Sequence, residues 1–150
     1  MKIAKGDGDL LVTHGLGSCL GIAVYDPAAR IGGLLHVMLP SASVSPEKAQ
    51  THPFMFVDTG TPLLFREAYE AGASKDRLIV KVAGGASLKE DGHDFFAIGK
   101  RNFVALRKML WQNSVIVAAA DVGGTISRTM YLDVSTGRTW LQTDGIEREL

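Results

Sequence analysis

Cys19 is the one cysteine of the 150-residue chain, and it follows directly on Gly15-Leu16-Gly17-Ser18. A thiol attacks as its thiolate, so at neutral pH it needs a base close by; an imidazole takes the proton and holds the resulting charge. His36 is the imidazole that strand pairing can bring to it. Attack of such a thiolate on an amide carbon creates an oxyanion, which unobstructed backbone N–H groups stabilise. The loop before the thiol offers such groups at Gly17 and Ser18. Thr13, at the end of the segment leading into this loop, carries a hydroxyl able to hold the imidazole in one orientation, the third role of a nucleophile–base–orienter set. The chemistry in view is acyl transfer from an amide, with Cys19, His36 and Thr13 as catalytic residues.

Two strands have to place thiol and imidazole together. Residues 19–25 alternate small or polar residues with Leu20, Ile22 and Val24, the period-two pattern of a strand. Asp26-Pro27-Ala28-Ala29-Arg30 has turn chemistry, residues 31–39 return, and Pro40 ends the run. A turn centred between Pro27 and Ala28 sets Leu20 opposite Leu35 and Val24 opposite Ile31, so the apolar faces match. Cys19 then faces His36 directly, with Cβ atoms about 4.5–5.5 Å apart. A slip of one residue would send them to opposite faces.

The remaining pattern supplies the scaffold. Residues 10–13 read as a short strand and residues 41–53 as a surface loop. A helix is expected from Thr61-Pro62, with Thr61 as N-cap and Pro62 as the first helical residue, to Gly72. Residues 77–83 form a strand closed by Gly84-Gly85. A second helix covers residues 102–111, with Phe103, Leu106 and Leu110 on one stripe. Residues 115–120 read as a buried strand, residues 129–134 and 138–142 as a hairpin, and residues 143–150 as a loose tail. Strands outnumber helices and most connections are hairpins. The expected fold class is therefore α+β, a mostly antiparallel layered sandwich with two main helices, forming one domain over residues 1–150.

Sixteen Lys+Arg balance sixteen Asp+Glu, and 46% of residues are hydrophobic. That balance argues against phosphate-driven nucleic-acid binding and against a polybasic membrane anchor. Apolar stretches fall short of the ~20 residues of a membrane span, and the N-terminus has no signal-like apolar run, so the chain reads as cytoplasmic. One cysteine permits no internal disulfide and no multi-cysteine zinc site. No cofactor and no metal are expected. Bland alternatives stand beside the chemistry. Cys19 can be a buried, silent thiol, and His36 a satisfied strand histidine. A nucleotide loop at Gly15-x-Gly17 fails because the third glycine falls at Gly21 and a strand follows. A metal site of His14, Cys19 and His36 lacks paired-ligand spacing. His52 and His93 read as surface residues.

These residues resemble the chemoreceptor glutamine deamidase family (CheD). Thr13-His14-Gly15-Leu16-Gly17-Ser18-Cys19 is similar to that family's T-x-G-L-G-S-C signature. Gly32-Gly33-Leu34-Leu35-His36-Val37-Met38-Leu39-Pro40 is similar to its G-G-x-x-H-x-M-L-P segment. Asp58, Gly84-Gly85-Ala86, Ile98-Gly99-x-Arg101-Asn102 and Asp121-Val122-Gly123-Gly124 follow in the family's order. The resemblance implies an α/β/β layered sandwich, with nucleophile, base and third member falling on Cys19, His36 and Thr13. It implies conversion of glutamines on methyl-accepting chemotaxis receptors to glutamate with release of ammonia. A CheC-type phosphatase is an implied partner. His14 departs from the usual aliphatic residue and is expected to bring a second imidazole near Cys19. Phe56-Val57-Asp58-Thr59 and Ser127 also depart from the family pattern. Two alternatives share the fold: an adaptor that binds receptors or phosphatase without turnover, and a transglutaminase or peptidase using the same thioester.

Overall fold

The structure, a computed structural model, describes residues 1–87 and 97–150. In chain order the strands are β1 (Lys2–Lys5), β2 (Leu10–Leu16), β3 (Leu20–Asp26), β4 (Ile31–Val37), β5 (Ile79–Gly84), β6 (Val117–Val122), β7 (Arg128–Asp133), β8 (Thr139–Thr143) and β9 (Ile146–Glu149). The helices are α1 (Pro46–Thr51), α2 (Val57–Glu70) and α3 (Ile98–Gln112). One sheet runs β1-β4-β3-β5-β6, and the other runs β2-β7-β8-β9. Among the described strands, only β5 and β6 pair in parallel.

Period-two alternation builds two cores on the larger sheet. Leu20, Ile22 and Val24 of β3, with Leu35 and Val37 of β4, pack against Leu64 and Ala68 of α2 and Leu106 and Leu110 of α3. The intervening Ala23, Tyr25 and Leu34 face Leu11, Leu16, Met130 and Leu132 of the second sheet. Helices, sheet and sheet therefore stack as three layers, the α/β/β form of the expected α+β sandwich. The layers matter for the site because both Cys19 and His36 belong to the face between the sheets.

The hairpin forms, but its register differs from the expected one by two residues. Leu20 pairs with Val37, Gly21 with His36 and Ile22 with Leu35, so the turn is centred between Ala28 and Ala29. The cause is Asp26. Its buried carboxylate accepts the Ala28 and Ala29 N–H groups at 2.9 and 3.1 Å and extends the loop to residues 27–30, with Arg30 at φ 49° closing it. An even shift leaves every side chain on its original face. Cys19 and His36 still share a face, but diagonally: Gly21 lies opposite His36, and Cys19 precedes the strand.

Four further expectations change. The strand expected to be buried at residues 115–120 forms as β6 but alternates half-buried and exposed residues, with none fully buried. α2 begins at Val57, a turn before Thr61-Pro62, because Phe56 already accepts the Gly60 N–H at 2.8 Å and Pro62 forfeits only the one bond to Asp58. The loop at residues 41–53 contains α1. Residues 143–150 are not a loose tail: Asp144 and Gly145, at φ 50° and 78°, make a tight turn that pairs β9 with β8, as Asp-Gly hairpins do. β1, which has no counterpart in the expected elements, pairs with β4. His52 is exposed, and His93 lies outside the described residues.

Candidate active site

Thr13 comes from the second sheet and His36 from the first, and they meet in the gap between them. Thr13 Oγ1 lies 2.8 Å from His36 Nδ1. With the proton on Nδ1, the ring donates to the hydroxyl oxygen and leaves Nε2 as the free base. The sheets can approach this closely because Gly21, opposite His36, has no side chain. A Cβ there would stand 2.8 Å from Leu16 Cδ1 and 3.0 Å from Met130 Sδ. Beyond Thr13 the pairing of β2 with β7 slips at Gly15, which has φ +69°; this bulge turns the chain into the loop carrying Cys19. His14 does not point toward the thiol. Its exposed ring reaches Thr129 of β7 at 3.4 Å, because neighbouring residues of a strand point to opposite faces.

The loop at residues 17–19 is held by its backbone. Ala86 N–H donates to Gly17 O and Gly85 N–H to Cys19 O, each at 2.8 Å. Gly84 must lack a side chain: a Cβ at its φ of +108° would lie 2.2 Å from the Cys19 carbonyl oxygen. Gly17 N–H is taken by Gly15 O at 2.9 Å. Among the described residues, no backbone carbonyl engages the Ser18 or Cys19 N–H. Asn102 of α3 donates from Nδ2 to both Ser18 O and Met38 O at 3.0 Å. Sequence reasoning named Asn102 only as a landmark. Its signal is position: it shares the buried stripe of Leu106 and Leu110, where an apolar residue is the rule.

Downstream of His36, Met38 and Leu39 N–H donate to Met55 O at 2.7 and 3.0 Å. Asp58 of α2 accepts the Ala42 N–H at 2.8 Å. His36 is thus held at its ring by Thr13 and along the chain that follows it by Met55.

Burial shapes the electrostatics. It raises the Cys19 thiol above its usual value, and the Ser18 hydroxyl pulls weakly the other way. It lowers the His36 imidazole, with the N-terminal ammonium adding to the effect. Both groups therefore rest uncharged near neutral pH. Among the described residues no hydrogen bond joins the thiol to His36, whose ring is bonded to Thr13. A groove of about 420 Å³ opens over Thr13 and His36, lined also by Met1, Lys2, Leu11 and Leu34. A neutral imidazole on the same inter-sheet face as a neutral thiol, with Ser18 and Cys19 N–H groups that meet no backbone carbonyl among the described residues, is an arrangement suited to general-base activation of a nucleophile.

Comparison with known proteins gives a consistent result. Residues 38–143 match the family model described as CheD chemotactic sensory transduction. A protein of Syntrophus aciditrophicus (strain SB) named "Probable chemoreceptor glutamine deamidase CheD 1" is 47% identical over 144 residues, covering 96% of this chain and 89% of its own. A relative of the same family name from Solibacter usitatus (strain Ellin6076) is 46% identical and covers 99% of this chain and 88% of its own. Another from Pyrococcus abyssi (strain GE5 / Orsay) is 42% identical over 137 residues. These similarities reach beyond the span of the family model into the segment that carries Cys19 and His36.

Proposed function

The chain belongs to the CheD family, and from that premise we infer that it deamidates glutamine side chains of chemoreceptors with Cys19 as nucleophile, His36 as base and Thr13 as the group that orients the base. The observation that carries the residue assignment is the 2.8 Å contact between Thr13 and His36 on the same inter-sheet face as Cys19.

In this reading His36 Nε2 takes the thiol proton as Cys19 Sγ attacks the amide carbon of the glutamine. The Ser18 and Cys19 N–H groups receive the oxyanion, while Gly17 supplies the turn that exposes them. Collapse breaks the C–N bond, and the imidazolium returns its proton to the departing ammonia. His36 then deprotonates a water that attacks the thioester, releasing glutamate and restoring the thiol. The substrate in this reading is a receptor's cytoplasmic region, and the protein acts in the cytoplasm. Among the described residues, no helix is long and apolar enough to cross a membrane.

The adaptor reading, with receptors or a CheC-type phosphatase as partner, has one observation in its favour: among the described residues no hydrogen bond joins the thiol to His36, whose ring is bonded to Thr13. Iodoacetamide labelling separates the two. An active site labels Cys19 near neutral pH at a rate that His36→Ala reduces; an inert thiol labels slowly and identically in both. Mass spectrometry of the receptor product, with and without an added amine, distinguishes hydrolysis from transamidation.

A further inference from the structure

We propose that Asn102 is a positioning residue that fixes the separation of Cys19 from His36. The β3–β4 ladder ends at the pair Leu20 and Val37. Its next pair would be Cys19 with Met38, but neither residue belongs to a strand. Each segment is anchored separately, Cys19 O by the Gly85 N–H and Met38 N–H by Met55 O, but among the described residues no ladder bond ties one segment to the other at this end of the hairpin. Asn102 closes that end. Its two Nδ2 hydrogens go to Ser18 O and Met38 O, each at 3.0 Å. Among the described residues, no other side chain bridges the two segments.

The side chain is suited to this and little else. Its amide orientation is fixed by chemistry: turned over, Oδ1 would face two carbonyl oxygens. Asn102 is fully buried, and among the described residues its Oδ1 has no partner. Leucine, with the same branched four-atom side-chain skeleton though bulkier, would continue the Leu106–Leu110 stripe without an unpaired acceptor. What the amide adds at this position is the pair of bonds to the two segments. An unpaired buried acceptor is unfavourable, and those two bonds offset it.

This proposal rests on Cys19 and His36 being nucleophile and base. It is tested by kinetics on a chemoreceptor cytoplasmic fragment with Asn102→Ala, Asn102→Ser and, as a packing control, Leu106→Ala. Loss of the bridge lowers kcat about 100-fold in Asn102→Ala, the scale of an ångström-sized misplacement of reacting groups, with KM within about twofold of wild type. Asn102→Ser keeps one donor and falls between. Leu106→Ala lowers the melting temperature while its folded population keeps wild-type kcat. A wild-type kcat in Asn102→Ala, or a loss no larger than that of Leu106→Ala, overturns the proposal. Should Asn102→Ala not fold, Asn102→Ser carries the test; should neither fold, Asn102 is a folding residue and the proposal fails. Cys19→Ser reports separately: wild-type deamidation by that variant overturns the nucleophile assignment itself.

Discussion

Burial acts on Cys19 and His36 in opposite directions of pKa with one common result, a pair uncharged at rest. If His36 is the base, as proposed, it must be neutral to accept the thiol proton, so activity should fall as pH drops through its folded-state pKa. Because that value is lowered, the acid limb of kcat/KM lies below the ordinary histidine range; a limb at or above it would contradict the role assigned to burial. In the proposed mechanism Thr13, 2.8 Å from Nδ1, accepts the hydrogen bond from the Nδ1 proton and so leaves Nε2 free. Thr13→Ala is expected to reduce kcat by roughly 10- to 100-fold through loss of imidazole alignment, and Thr13→Ser to recover most of it. Equal turnover by Thr13→Ala and wild type would remove Thr13 from the account. His14, a second imidazole in the sequence beside the signature, turns to Thr129 instead, so His14→Leu should leave the pH profile of kcat/KM in place.

At the scale of elements, the β3–β4 hairpin shows what alternation can and cannot specify. Leu20, Ile22 and Val24 mark the face that meets the helices, and with it the opposite face shared by Cys19 and His36. The register depends on loop length, and that depends on Asp26, whose other partners are distant: Ser74 N–H at 2.8 Å and Arg77 at 2.8 and 3.1 Å. No local pattern contains those contacts. Asp26→Ala should cost about 2–4 kcal/mol, from several donors to a buried carboxylate losing their acceptor. The Arg77 guanidinium and three backbone N–H groups hold this carboxyl well below the usual range. Its stabilising effect is therefore complete above the unfolded aspartate pKa and is lost as pH falls toward the folded value. Chemical denaturation of wild type and Asp26→Ala should give curves that converge at acid pH; a constant difference would refute the linkage. Gly84→Ala tests the second support of the site. A methyl 2.2 Å from the Cys19 carbonyl must displace the nucleophile loop, so deamidation should fall well beyond what the change in melting temperature explains.

For the molecule as a whole, three layers give the site its position: helices clamp one side of the central sheet, and the second sheet brings Thr13 to the other. The layered α+β class was legible because strands dominate and their alternation is regular. β9 was not, because Ile146–Glu149 is exposed throughout and so shows no alternation; only Asp144-Gly145 signals the turn. The bridge from Asn102 joins a helix to two distant strand ends, and sequence marks it only as a polar residue in an apolar stripe. Family membership supports conversion of receptor glutamine to glutamate, and the central proposal is that this chain carries it out through Cys19. Mass spectrometry of a chemoreceptor cytoplasmic fragment incubated with wild type and with Cys19→Ser tests it most directly. The account predicts amide-to-acid mass gains on specific glutamines with wild type and none with Cys19→Ser. Equal deamidation by the two proteins would contradict it.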